Sequence, residues 1–228
     1  MAAHSDSPCL KIKPRSKREK EGFLQVAIET YGGGLWHTWF DRDLGLAGRV
    51  SLQSSDGALH ERLININRPI LRIPTLAIHL DHSVRDGFKF NAEQHLTPIL
   101  ASCLSRKESD EGGHMHSVLS NLIKGEIKME QEFEIVATDL CLYDVQKASI
   151  GGVYSEFVQS ARLDNLYSSF AAIQALVGCL SSLEKDRTIR MICLFDNEEV
   201  GSLSACGAES TIVSSAIERI LQELGLNV

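Results

Sequence analysis

The sequence predicts an α/β protein whose sheet-and-helix domain is interrupted by a β-rich insertion, and three observations carry that class. From about residue 150 onward, apolar runs alternate with segments of helical spacing, the order found in a doubly wound sheet. Residues 22–53 alternate apolar and polar side chains between glycine breaks, the period of antiparallel strands with one buried face. The opening stretch MAAHSDSPCLKIK reads as a strand end, a turn and a second strand. Because the C-terminal tail has this doubly wound alternation, the middle of the chain reads as an insertion into an α/β domain.

The elements follow in order. The basic run KIKPRSKREKEG leads into GFLQVAIETYGGGLWHTWFDRDLGLAGRVSLQ, the alternating segment. PILRIPTLAIHL (69–80) carries two prolines and reads as an edge or turn-bounded segment, because proline cannot donate to a sheet ladder. Residues 81–130 are polar and irregular, with short helical stretches. FEIVATDLCLYDV (133–145) reads as a strand. A new register opens near 150 with IGGVYSEFVQSARLDNL, followed by an amphipathic helix over about Leu166–Leu183. TIRMICLF (188–195) is rich in β-branched and large apolar residues and predicts a buried strand. Ile212, Val213, Ala216, Ile217, Ile220 and Leu221 then mark a last helix.

Composition bounds the function classes. With 228 residues, 43% of them apolar, the chain can form one large domain or two small ones. A net charge of -7 gives no global reason to expect nucleic acid or an acidic membrane as partner. No run reaches transmembrane length, and MAAHSDSP lacks the apolar stretch of a signal peptide. The six cysteines show no C-x-x-C pair and several lie in apolar runs, so they read as reduced, small core residues of a cytoplasmic protein.

Three short motifs at loops beside apolar runs could carry chemistry. In His4-Ser5-Asp6, residues two apart on an extended chain face the same way, so Asp6 could hydrogen-bond the His4 ring and fix its tautomer. In Arg162-Leu163-Asp164-Asn165, Asp164 stands at the expected start of the long helix. Glu198 and Glu199 follow the strand at 188–195, and adjacent side chains diverge, so one carboxylate can bind metal while the other faces a substrate water. Two hard oxygen ligands and an imidazole suit zinc, cobalt or manganese. An unliganded glutamate beside a metal is a ready general base. Each motif alone also has a plain reading: carboxylates before helices serve as caps and macrodipole partners, and a histidine in a Ser/Asp-rich turn is commonly just part of the turn.

AHSDSPCLKIK, ETYGGGLWHTWFDRDLGLAGRV, RPILRIPTLAIHL, ARLDNL and LFDNEEVGS, in this order, resemble the aspartyl aminopeptidase family of dinuclear zinc metallopeptidases. The resemblance runs through nearly the whole chain and is weakest at 81–130. It implies a partial doubly wound catalytic domain at 1–13 and 156–228, interrupted by a dimerisation domain at 14–155. It also implies two divalent metals, zinc first, with cobalt or manganese as alternatives. His4 matches a metal ligand, Asp6 the catalytic-site aspartate that orients it, Asp164 the bridging aspartate, Glu199 a ligand and Glu198 the general base beside the substrate. His79 matches a histidine that reaches a neighbouring subunit's active site. The implied substrates are short peptides with an N-terminal aspartate or glutamate, and the implied assembly is a homo-oligomer of dimers building a twelve-subunit shell. Neither a nucleic acid nor a membrane is an expected partner.

The family pattern has five protein ligands, and His4, Asp164 and Glu199 supply three. No histidine follows His116. The chain is therefore expected to be a fragment or truncated isoform, inactive alone; the alternative is a non-catalytic assembly partner acting through 14–155. The remaining features have structural readings. Lys11 to Lys20 is expected to form a solvated hairpin, and His114 and His116 to lie on the surface. Gly32–Gly34 lacks the following Lys-Ser/Thr of a phosphate loop and is expected to serve a turn or close backbone packing. Trp36, Trp39 and Phe40 are expected in the core.

Overall fold

In the computed structural model, which describes residues 1–106, 113–127, 129, 132–185 and 188–226, the chain runs through β1 (Ala2–His4), β2 (Cys9–Lys20), β3 (Phe23–Tyr31), β4 (Leu44–Ser54), β5 (Leu59–Leu71), α1 (Ala92–His95), β6 (Ile99–Ser102) and α2 (Ser117–Glu126). It continues through β7 (Phe133–Asp144), β8 (Ser149–Gly151), β9 (Phe157–Gln159), α3 (Leu163–Gly178), β10 (Cys193–Phe195) and α4 (Ile212–Glu223). These elements form a mixed α and β protein with two compact units. The first is Met1–Pro8, Tyr31–Gly33 and Lys147–Val228; the second is Cys9–Thr30 and Gly34–Gln146. Among the described residues no helix is long and apolar enough to cross a membrane.

The second unit is a six-stranded sheet in the order β5-β4-β7-β2-β3-β6. Its strands obey the two-residue period: Leu44, Leu46, Val50 and Leu52 on β4 are all fully buried, as are Leu140 and Leu142 on β7. Leu119 and Ile123 of α2, one helical turn apart, join the same core. Glu21 and Gly22, at φ 51° and 77°, turn β2 back into β3 with the twist hairpins favour, so the basic run does lie on a hairpin. β5 is an edge strand and ends at Leu71, which leaves Pro69 and Pro74 at an edge and beyond it, as their missing N–H groups require.

Three expectations need correction here. His116 is not a surface residue: it is 1% exposed, and its Nε2 faces the Arg18 and Gln25 carbonyls at 2.8 and 3.1 Å. Only His114 is exposed. Trp36, Trp39 and Phe40 are partly buried and pack against the core rather than within it. The cysteines are free but are not core residues; Cys9, Cys103, Cys141, Cys179 and Cys193 are half-buried and Cys206 is exposed.

In the first unit β1 and β10 run parallel, with Ala2 opposite Cys193, Ala3 opposite Leu194 and His4 opposite Phe195. The ladder covers three residues, so the expected strand at 188–195 reduces to Cys193–Phe195. Helix α3 packs on β1, and Ser169 Oγ donates to the His4 carbonyl at 2.9 Å. β8 and β9 form a separate antiparallel hairpin.

Candidate metal centre

Because β1 and β10 are parallel, the polypeptide leaves both strands at the same end of the sheet. The crevice beyond the carboxyl ends of parallel strands is where open α/β sheets place their ligands. His4 closes β1, Asp6 lies two residues past it, and Glu198 and Glu199 begin the turn after β10. Asn197 makes that sharp turn possible by adopting left-handed backbone, φ 64° and ψ 20°, which asparagine tolerates well.

His4 is 8% exposed and its ring is held from both sides. Nδ1 lies 3.1 Å from the Asp6 main-chain carbonyl and 3.4 Å from the Asp6 carboxylate, so the main chain is the nearer partner. Nε2 lies 3.2 Å from Asp164 Oδ1 and 3.7 Å from Glu198 Oε2. The Asp6 carboxylate is bound in turn by the Glu198 N–H at 3.2 Å, the Glu199 N–H at 3.1 Å and the Tyr31 hydroxyl at 2.8 Å. Asp164 precedes the regular part of α3: its own φ and ψ, −83° and 111°, are extended, and helical backbone begins after Asn165. Its side chain is 87% exposed.

Gly32 completes the wall. At φ +82° it occupies backbone that disfavours a side chain, and a Cβ there would come within 2.8 Å of Glu199 Cβ. Close packing expected of Gly32–Gly34 is thus found at this glycine. Tyr31, one residue earlier, had no functional signal as the last residue of an alternating strand; its position before three glycines is the one clue that the segment meets another part of the chain.

The electrostatics are those of a cation site. Burial works against a charged His4 ring, but the Asp6 carbonyl and the charges of Glu198, Asp164 and Asp6 outweigh it and raise the pKa above the usual imidazole value. Burial also opposes ionisation of Asp6, yet the Tyr31 hydroxyl and the N–H groups of Glu199 and Glu198 hold its carboxyl below the ordinary range. Glu199 moves the other way: burial, with Asp6, Glu198 and Asp164 as like charges, raises it, and the His4 ring opposes that rise. His4, Glu198 and Glu199 each offer a ligand atom, all within 4.8 Å of one another. The His4 imidazole and the Glu199 carboxylate are donors of the kind zinc takes, and a divalent cation would balance carboxylate charges that otherwise repel.

Comparisons with known proteins give the family. Residues 1–227 match the aminopeptidase I zinc metalloprotease (M18) family. The chain belongs to the M18 family. Aspartyl aminopeptidase 1 of Schizosaccharomyces pombe is 47% identical over 236 residues, covering 99% of this chain and 50% of that protein. A cryo-EM structure of an Ape4 and Nbr1 complex superposes with a TM-score of 0.90 at 46% identity, over 97% of this chain and 44% of that one. An mApe1 dodecamer from S. cerevisiae gives 0.75 at 29%, over 96% and 48%. The chain spans about half the length of the M18 relatives it matches.

Of the residues the sequence singles out, His4, Asp6, Asp164, Glu198 and Glu199 come together in the first unit. His79 does not join them: it lies exposed in a turn of the second unit.

Proposed function

We propose that the first unit is the catalytic part of a metal-dependent aminopeptidase that releases N-terminal aspartate or glutamate from short peptides. In this reading a doubly wound catalytic domain (1–13 and 156–228) is interrupted by a dimerisation domain (14–155). The convergence of His4, Glu198 and Glu199 beyond two parallel strand ends is the observation that carries it. His4, Asp164 and Glu199 would hold two divalent metals, zinc or else cobalt or manganese. Such metals supply Lewis acidity toward the scissile carbonyl and the attacking water. Asp6 fixes the His4 ring from its Nδ1 side. Glu198 takes a proton from the water on its carboxylate and hands it to the departing amine. The S. cerevisiae relative is a dodecamer; a homo-oligomer is proposed here too, in the cytoplasm, with His79 reaching the site of a neighbouring copy.

With three of the implied ligands present, the 228-residue chain is proposed to bind metal without sustaining turnover. A cobalt titration followed by visible absorption tests the centre. His4→Ala and Glu199→Ala should each weaken cobalt uptake by at least roughly tenfold, while Glu198→Gln should leave it intact. Uptake indifferent to His4→Ala and Glu199→Ala would overturn the assignment. Any aspartate release from an N-terminal aspartyl peptide by the zinc-loaded chain should vanish in Glu198→Gln; release that survives removes Glu198 as the base.

A further inference from the structure

We infer that Tyr31 is a positioning residue of this centre, acting through Asp6 on the turn that carries Glu198 and Glu199. The inference rests on the metal-centre reading for what is positioned, but its geometry stands on the polypeptide alone. Tyr31 Oη lies 2.8 Å from Asp6 Oδ2 and 3.2 Å from Asn197 Oδ1. A phenol has one proton to give, and the ionised carboxylate is the stronger acceptor, so the hydroxyl donates to Asp6. Asp6 is then the hub of a small network. Its two oxygens accept from the Glu198 N–H, the Glu199 N–H and Tyr31, while its backbone carbonyl meets His4 Nδ1.

Those two N–H groups open the short turn Glu198–Val200, whose first donors have no partner inside the turn. A helix-capping carboxylate normally comes from the preceding residue. Here it comes from Asp6, whose distance along the chain from Glu199 is 193 residues. A cap supplied from so far away needs its own support, and Tyr31 provides it. Gly32, next in the chain, lets the same segment close on Glu199. Tyr31 thereby sets where the Glu198 and Glu199 carboxylates point without touching a metal or substrate.

Tyr31→Phe keeps the ring and deletes only the hydroxyl. Amide hydrogen exchange of the intact chain should quicken at Glu198 and Glu199 by on the order of tenfold, the factor one charge-assisted hydrogen bond commands. Exchange at Ala172 and Ile173 of α3, in the same unit, should hold steady. In an Asp6→Ala background the phenylalanine substitution should add nothing further, because a residue acting through Asp6 has nothing left to act on. Asp6→Asn replaces that background if the alanine variant fails to fold, and the added effect should then shrink. Unchanged exchange at both glutamates, an equal rise along α3, or full additivity with the Asp6 substitution would each overturn the role. Cobalt uptake separates the two readings: a wild-type chain that takes up no cobalt sinks the metal centre, whereas the exchange result still decides Tyr31.

Discussion

Cys9 and Cys141 lie on neighbouring strands, with Lys11 directly opposite Cys141. A hydrogen bond from the Cys9 thiol lowers the Cys141 pKa to about 7, against the opposing effect of burial and with help from the Lys11 charge. The same hydrogen bond, with burial, drives Cys9 upward. A lowered thiol is increasingly thiolate as pH rises through its pKa, and the thiolate is the reactive form. Alkylation of Cys141 by iodoacetamide, read by peptide mass, should therefore level off not far above pH 7. A rate still climbing into the ordinary thiol range near about 8.5 would exclude the Cys9 interaction. Individual residues were unevenly legible. Glu198 and Glu199 stand where an apolar run ends, and His4 in a Ser/Asp-rich turn, places that read equally well as caps and turns when each motif is taken alone. His116 sits in polar, glycine-bearing sequence, and the two carbonyls that bury it lie 98 and 91 residues away, beyond any local pattern. Tyr31 was hidden for the opposite reason, since alternation already explained it as the end of a strand.

Among the elements, β4 shows how tightly a strand can depend on one glycine. Gly48 pairs with Leu140 across the β4–β7 ladder and has φ +151°, and a Cβ there would come 2.1 Å from the Asp139 carbonyl oxygen. Gly57, at φ +84°, faces open space. Gly57→Ala should cost only the ~1–2 kcal/mol of left-handed backbone. Gly48→Ala should cost more, about as much as the ~2–5 kcal/mol of a large core truncation such as Leu142→Ala, because backbone must move. Urea denaturation midpoints at unchanged slope would measure both; equal costs would mean that β4 relaxes freely around position 48. Strand periodicity was readable here because the alternate residues Leu44, Leu46, Val50 and Leu52 of β4 are buried. The strand at 188–195 was overread because a ladder is only as long as its shorter member, and β1 contributes Ala2–His4. For α4, spacing disclosed the helix but not its environment, since none of its residues is buried.

At the scale of the whole molecule, apolar burial is unequally divided. The main core cluster, from Leu10 to Leu142, falls entirely within the second unit. In the first, α3 buries only Ser169 and Ala172, while Tyr167, Phe170 and Val177 stay more than half exposed. Native-state hydrogen exchange should therefore rank Val50, Leu52, Leu140 and Leu142 among the slowest amides, with α3 and α4 opening at lower free energy. Uniform protection across both units would contradict this division. The change of period near residue 150 falls close to the boundary at Gln146 and Lys147, whereas the boundary at Cys9, where β2 starts, and the one at Thr30 and Tyr31, inside β3, carry no break in pattern.

The pairing of β1 with β10 also bears on how the chain finds its shape. Ser5 and Phe195 share hydrogen bonds across 190 residues, and the entropy lost in closing a flexible loop grows with the logarithm of its length. When β2 and β7 pair, Leu10 stands opposite Leu142, and most of that length is already drawn in. The remaining slack is roughly a third as long, which lowers the closure cost by about 1 kcal/mol. Folding the middle first would make this contact across 190 residues a nearly local one, so the glutamates would then meet the histidine on a chain already shortened for them.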